Sequence, residues 1–369
     1  MRTFLWTGAL AILTLVACLS CGARAAARSP GTVPALRGST VVLAVSGAGQ
    51  VEIFILGADG GLAPAGQSTV GSKGGYGAFA AGNAHVYLAD EDKTAGSLVG
   101  FRVSSAPAEL QRIGTWPSGG RQPVHVFAPP GGRWLLVANF LDPNVTVFPI
   151  GAEGVLGPAA AQVNPGRAPH QALTDPSGRF VFIPCRDDDH IAQYRFDSRK
   201  GTLTPNHPLR VSTPGRPRHL AFHPSGRFAY LMTESDIPVV AYRFDARSGA
   251  LADPKPVDTR AGGGAHIVVS PDGAFVYGSV RRSPAVIYVF AVKGDDGSLI
   301  EVQAFSAQDI SGPRDFALSP DGRFLVVGGQ EHHQLVVLAR DPHDGRLRAT
   351  GKTAKTRGSP AFVGVVPSP

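Results

Sequence analysis

One turn recurs along this chain at nearly constant spacing. Short apolar strands flank it in PVHVFAPPGGRWLLVANF (123–140), PHQALTDPSGRFVFIPCR (169–186), PRHLAFHPSGRFAYLMTE (217–234), GAHIVVSPDGAFVYGSVR (264–281) and PRDFALSPDGRFLVVGGQ (313–330). An eroded copy, GGYGAFAAGNAHVYLAD, occupies 74–90. The turn glycines Gly82, Gly132, Gly178, Gly226, Gly273 and Gly322 lie 50, 46, 48, 47 and 49 residues apart. Such a period, with several strands per unit, signals a propeller blade or another repeat array. After each hairpin comes a third, alternating strand, such as IAQYRFD (191–197) or VVAYRFD (239–245). A looser fourth follows, as in KGTLTPNHPLRV and SGALADPKPVDT. Four antiparallel strands per unit is the blade pattern.

The chain ends fix the blade count. SPAFVGVVP (359–367) matches only the first strand of a hairpin, whereas VVLAVSG (41–47), VEIFILG (51–57) and GLAPAGQSTV (61–70) match the second, third and fourth. One strand from the tail and three from the head complete a seventh blade and close the ring without a covalent bond, removing exposed edges. The expected fold is therefore all-β: a seven-bladed β-propeller of four-stranded antiparallel blades over 41–369. A length of 369 residues would also allow two domains, but the split unit argues against them. A parallel β-helix has shorter repeats and needs no split unit.

Composition agrees. Glycine (46) and proline (31) make about a fifth of the chain, which demands many turns, and no long helical pattern follows residue 20. Before it, MRTFLWTGALAILTLVACLSC reads as an export signal: Arg2 starts it and Phe4–Ala17 is an apolar run of 14 residues, short of the ~20 needed to span a bilayer. Leu15–Cys18 fits a lipobox, with Cys18 the lipidated residue, and Ala23-Arg24-Ala25 fits an ordinary cleavage site. Residues 1–25 are thus assigned to the signal and 26–40 to a linker, and the protein is expected to be periplasmic or secreted, with a lipid anchor at Cys18 if the first site is used.

Net charge is +7, and +5 without residues 1–25, which hold Arg2 and Arg24 and no acid. No Lys/Arg block suggests a nucleic-acid arm, so no nucleic-acid partner is expected. Cys185 is the only cysteine beyond the signal, which leaves no disulfide framework and no cysteine–zinc site; it reads as a half-buried strand residue. No cofactor or metal is indicated, and the chain is expected to be a monomer.

If each hairpin is symmetric about its glycine, residues eight before and eight after it meet at the open end. In a propeller these ends converge on one face. The first column reads Gly74, Val124, His170, Arg218, Ala265, Arg314 and Ala361; the second reads Asp90, Phe140, Arg186, Glu234, Arg281 and Gln330. Polar members concentrate in four consecutive blades. They predict an anion-binding site with an acid–base pair, whereas Arg218 and Glu234 alone read equally well as a plain cross-strand salt bridge. Asp187, Asp188 and Asp189 read as a solvated turn, and the adjacent His332 and His333, if on a strand, would face opposite ways. Neither a GxSxG elbow nor a Walker loop is present.

These motifs resemble the seven-bladed propeller lactonases, the family of bacterial 6-phosphogluconolactonase that also includes fungal carboxymuconate cycloisomerase. The resemblance covers about 41–369. It rests on GRPRHLAFHP with Tyr230 and Glu234, IVVSPDGAFVY with Arg281, GPRDFALSPDG with Gln330, PHQALTDPSGRF and VANF. It implies His170, Arg218, Glu234 and Arg281 as the catalytic set. Ala172, Cys185-Arg186-Asp187 and Val280 depart from the family pattern.

The function expected is hydrolysis of a sugar-type or other anionic lactone. Glu234 or His170 would be the base, and Arg218 or Arg281 would stabilise the oxyanion. Arg186, His219, Arg314 and Gln330 would bind the rest of the substrate. Two rivals are a lactone-forming cycloisomerase and a non-catalytic exported propeller that binds a ligand or partner.

Overall fold

The computed structural model describes residues 40–367, except 106, 107, 237, 258, 260, 261 and 307. The expected signal at 1–25 and linker to residue 39 lie outside the described residues. Seven four-stranded antiparallel sheets are present. Blade 1 is the split one: Pro360–Pro367 pairs along Thr40–Ser46, with Val42 opposite Val365 and Leu43 opposite Gly364, and Gln50–Leu56 and Leu62–Thr69 follow outward. Blades 2 to 7 run in chain order over 74–117, 123–163, 173–212, 217–257, 264–305 and 313–355.

The middle strands are apolar runs, as in Phe180–Cys185 and Phe228–Thr233, buried at every residue, because stacked sheets need both faces dry. The buried residues fall into seven apolar clusters, each shared by two neighbouring blades. Phe180, Phe182 and Ile191 of blade 4 meet Leu220, Leu231 and Tyr242 of blade 5. Phe275 and Tyr277 of blade 6 meet Phe316 and Val327 of blade 7. The ring closes in the same way. Val326 and Val337 of blade 7 pack on Val42, Phe54 and Val363 of blade 1, and Leu43, Ile53 and Phe362 of blade 1 pack on Leu88 and Phe101 of blade 2. With seven blades and seven shared clusters, every blade packs on both of its neighbours.

The tight turns also serve these joints. Gly249, at φ +74°, would put a Cβ 2.1 Å from the ring of Phe180 in the preceding blade, and Gly297, at φ +68°, one 2.3 Å from Phe228. A side chain is excluded there by both backbone and space.

Candidate active site

The inner strand of most blades carries a bulge near its first residues. In blade 5, Pro217 pairs with Thr233 and His219 with Met232, which leaves Arg218 as the extra residue. The register breaks at the same place in blades 2, 3, 6 and 7. A bulge presents consecutive side chains where plain alternation would present one. Arg218 and His219 are accordingly both wholly buried, and both meet the inner strand of blade 6: Arg218 Nη1 donates to the Ala265 carbonyl, and His219 Nδ1 lies 2.8 Å from His266 Nδ1.

The bulge corrects the mirror symmetry expected of the hairpin. Glu234 donates its backbone N–H to Arg216 and does not lie opposite Arg218 in the ladder. Side chains restore the contact: Arg218 Nε is 3.3 Å from Glu234 Oε1. Two members of the columns are also corrected. In the eroded blade 2 the glycine sits one place earlier in its turn, so Gly74 and Asp90 pair with each other as Pro217 and Thr233 do. Their neighbours Gly75 and Glu91 are the counterparts of Arg218 and Glu234. Glu91 donates its N–H to Lys73, just as Glu234 donates to Arg216. A Cβ on Gly75 would lie 2.5 Å from Glu91 Cγ, so the glycine makes room for the carboxylate. A register read from the strands instead of the glycine would have found Glu91.

Glu234 is the centre of one charge cluster. Arg281 Nη2 lies 3.1 Å from its Oε1 and Arg186 Nη1 3.7 Å from its Oε2, besides Arg218. The Arg186 guanidinium also sits 4.4 Å over the Phe140 ring, a cation–π contact of about 0.5–1 kcal/mol or more. Arg314 Nη2 stands 3.8 Å from Glu91 Oε1. Four arginines therefore face two glutamates.

Burial makes the imbalance costly. It depresses the basicity of Arg218, bringing its pKa down to about 10, and Arg314 and Arg281 add to the effect. Burial and Arg314 likewise lower Arg281. Glu91 moves the other way: burial holds its pKa above the ordinary glutamate value, against the pull of Arg314, Lys73 and Arg218. Several buried polar atoms lack a hydrogen-bond partner, among them Arg218 Nε and Nη2, Arg314 Nε, Glu91 Oε1 and His170 Nδ1. Arg218 Nε is near enough to Glu234 for attraction but is not aligned for a hydrogen bond. Natural interiors rarely leave such groups unpaired, and a cluster of them suits a site that awaits an anionic, hydroxyl-bearing ligand.

His170 enters this cluster from blade 4, buried and edge-on to Phe140 and His219. Burial, then Arg218 and Arg314, hold its pKa well below the usual imidazole range, so it is neutral at pH 7. Gln330 lies just past the second strand of blade 7, partly buried, with its N–H on Gly312 and its carbonyl on Ser359. His219 differs from the other expected binding residues, because it lies one layer deeper.

That deeper layer comes from the residue after each bulge position. Tyr76, His125, His219, His266, Asp315 and Phe362 converge from six blades. The Tyr76 hydroxyl donates to Asp315 Oδ1 and lies 3.1 Å from His266 Nδ1, which is 2.8 Å from His219 Nδ1. Val363 N–H donates to Asp315 Oδ2 at 2.7 Å. These rings plug the channel, so the arginine cluster has a floor. Burial raises the Asp315 pKa to about 7. No group of three His, Cys, Asp or Glu among the described residues has metal-holding geometry.

The plug has a consequence for stability. Burial holds the pKa values of His125 and His266 down at about 3, and His170 and His219 well below the usual value. The unfolded chain binds protons on them near pH 6.5, while the folded one does not. Stability is therefore unaffected by them above pH 7 and falls as pH drops below 6.5, by up to roughly 1.4 kcal/mol per histidine per pH unit. Asp315 acts oppositely between about pH 4 and 7, because there only the folded state keeps its proton. Four groups outweigh one, so urea unfolding at pH 5.5 is expected at a lower midpoint than at pH 7.5. An unchanged midpoint would contradict the buried neutral histidines.

Of the other singled-out residues only Asp187 touches the site, through Arg186. Cys185 is fully buried, not half-buried, and burial pushes its thiol up to about 12, which makes it a packing residue. Asp188 is tied to Arg167 at 2.6 Å, and Asp187 to Arg186 at 2.9 Å. His332 and His333 are exposed in a turn, not on a strand.

Residues 40–364 match the family described as Lactonase, 7-bladed beta-propeller. The chain belongs to that family of lactone-hydrolysing propellers. Among lactonase relatives, a 6-phosphogluconolactonase of Serratia proteamaculans is 29% identical over 292 residues, covering 76% of this chain and 85% of that one. One from Pectobacterium carotovorum subsp. carotovorum is 30% identical over 252 residues, covering 66% and 74%. The solved periplasmic gluconolactonase of Pseudomonas aeruginosa superposes with TM-score 0.82 at 27% identity, covering 90% of this chain and all of that one.

Proposed function

We propose that this propeller hydrolyses a sugar-type lactone at the arginine-lined end of its channel. The observation that carries the reading is the unbalanced cluster: four arginines against Glu91, Glu234 and the exposed Asp187 that pairs with Arg186, with unpaired donors on Arg218 and Arg314. Attack of water on a lactone carbonyl puts negative charge on its oxygen, and preorganised donors in a water-poor site stabilise that charge most. Arg218 and Arg281 are assigned to the oxyanion. Arg186, Arg314 and Gln330 are assigned to the carboxylate, phosphate or hydroxyls of the sugar. His219 is assigned to the floor of the site, with Tyr76 and His266.

His170 is assigned as the base. It is neutral, buried beside Arg218, and has a free Nδ1. Glu234 has its oxygens among three guanidiniums, a placement suited to holding those arginines in position. Export is part of the same reading, supported by the leader pattern at 1–25 and by the periplasmic relative from P. aeruginosa. Mass spectrometry of the mature N-terminus is expected to show either a lipidated Cys18 or cleavage after Ala25; an intact N-terminus on the cellular protein would contradict export. Hydrolysis of glucono-δ-lactone and its 6-phosphate, measured above the spontaneous rate, tests the substrate class. Saturable turnover of either is expected, and the ratio of their kcat/KM values reports whether a phosphate is read.

A further inference from the structure

We propose that Glu91 is a second catalytic group of this site, the general acid that protonates the lactone ring oxygen as the acyl–oxygen bond breaks. The proposal rests on the lactonase reading above. Ring opening needs two proton movements. Water forms a bond to the carbonyl carbon and gives one proton to His170. The ring C–O bond then breaks, and its electron pair must leave as an alcohol, because an aliphatic alkoxide leaves poorly. Glu91 supplies that proton and is re-protonated from solvent, while His170 releases to solvent the proton it took from water. The product is a hydroxy acid, which ionises and releases one proton, so lactone and water are fully accounted for.

Three observations single out Glu91 for the second role. It is the counterpart of Glu234 by strand register, and Gly75 leaves the space it fills. It is 5% exposed, and its Oε1 has no hydrogen-bond partner. Glu234 faces three guanidiniums, whereas Glu91 has one at 3.8 Å. The charged groups around it are Arg314, Lys73 and Arg218, which favour the carboxylate, and Asp90, which opposes it; burial outweighs the cations, so Glu91 keeps its proton to higher pH than an ordinary glutamate. That direction suits a proton donor.

The test compares leaving groups. Glucono-δ-lactone leaves as an alkoxide and needs the proton, whereas dihydrocoumarin leaves as a phenolate and does not. Glu91→Gln is expected to lower kcat about 100-fold or more on the first, with KM little changed, and only a few-fold on the second. Wild-type kcat is expected to fall on the alkaline side for the alkyl lactone alone, which tests the proposal even if the variant does not fold. Equal losses on both lactones, no loss on either, or the same alkaline limb for both would overturn it. A wild-type protein that opens neither lactone faster than buffer would remove the lactonase reading and this proposal with it, and that result is distinct from the others.

Discussion

Arg218→Met is expected to abolish most lactone turnover while leaving the melting temperature at or above that of the wild type. The two halves have one cause. Arg218 is wholly buried, with two of its nitrogens lacking hydrogen-bond partners and two other arginines, Arg314 and Arg281, close by. A guanidinium whose pKa falls to about 10 from 12.5 is disfavoured in the folded state, by on the order of 3 kcal/mol at pH 7. Methionine fills similar space without the charge, and Glu234 keeps Arg186 and Arg281. Replacing a buried charge by a well-packed apolar residue is often neutral or stabilising. Loss of an oxyanion donor costs about 10²–10³ in kcat. A thermal melt paired with steady-state kinetics checks both halves. An active variant, or one with a much lower melting temperature, would show that Arg218 serves structure instead.

His170→Ala and Glu234→Gln are each expected to lower kcat about 100-fold or more, for different reasons that kinetics can separate. Alanine removes the free Nδ1 that would take the proton of water, so KM should move little. Glutamine removes the charge that three arginines share. They then repel one another and shift, so KM for an anionic sugar lactone should change together with kcat. Wild-type turnover in both variants would rule out the roles given to them.

The fold was legible because the repeat is long and its turns keep one glycine each. Even the split blade could be read, since the tail 359–367 and the head 41–70 each lack what the other has. The site was legible where charges are conspicuous: His170, Arg186, Arg218, Glu234, Arg281 and Arg314 do gather. Three things were hidden. A bulge breaks the period-two rule, so nothing in PRHLAFHP announces that Arg218 and His219 both turn inward. The same local irregularity hid the plug, whose His125, His266 and Asp315 stand one place past the expected column. Glu91 was masked by the displaced turn glycine in blade 2, which pointed to Asp90. Pairing register is set by the whole ladder, and a short motif does not report it.

The arginine cluster is expected to turn over a lactone. The direct measurement is lactone loss in a weakly buffered pH-stat assay with purified protein, set against the spontaneous rate under the same conditions. A saturable rate well above background is expected, falling about 100-fold or more in Arg218→Met. A rate equal to background at every lactone concentration, from a protein that melts cooperatively, would contradict it.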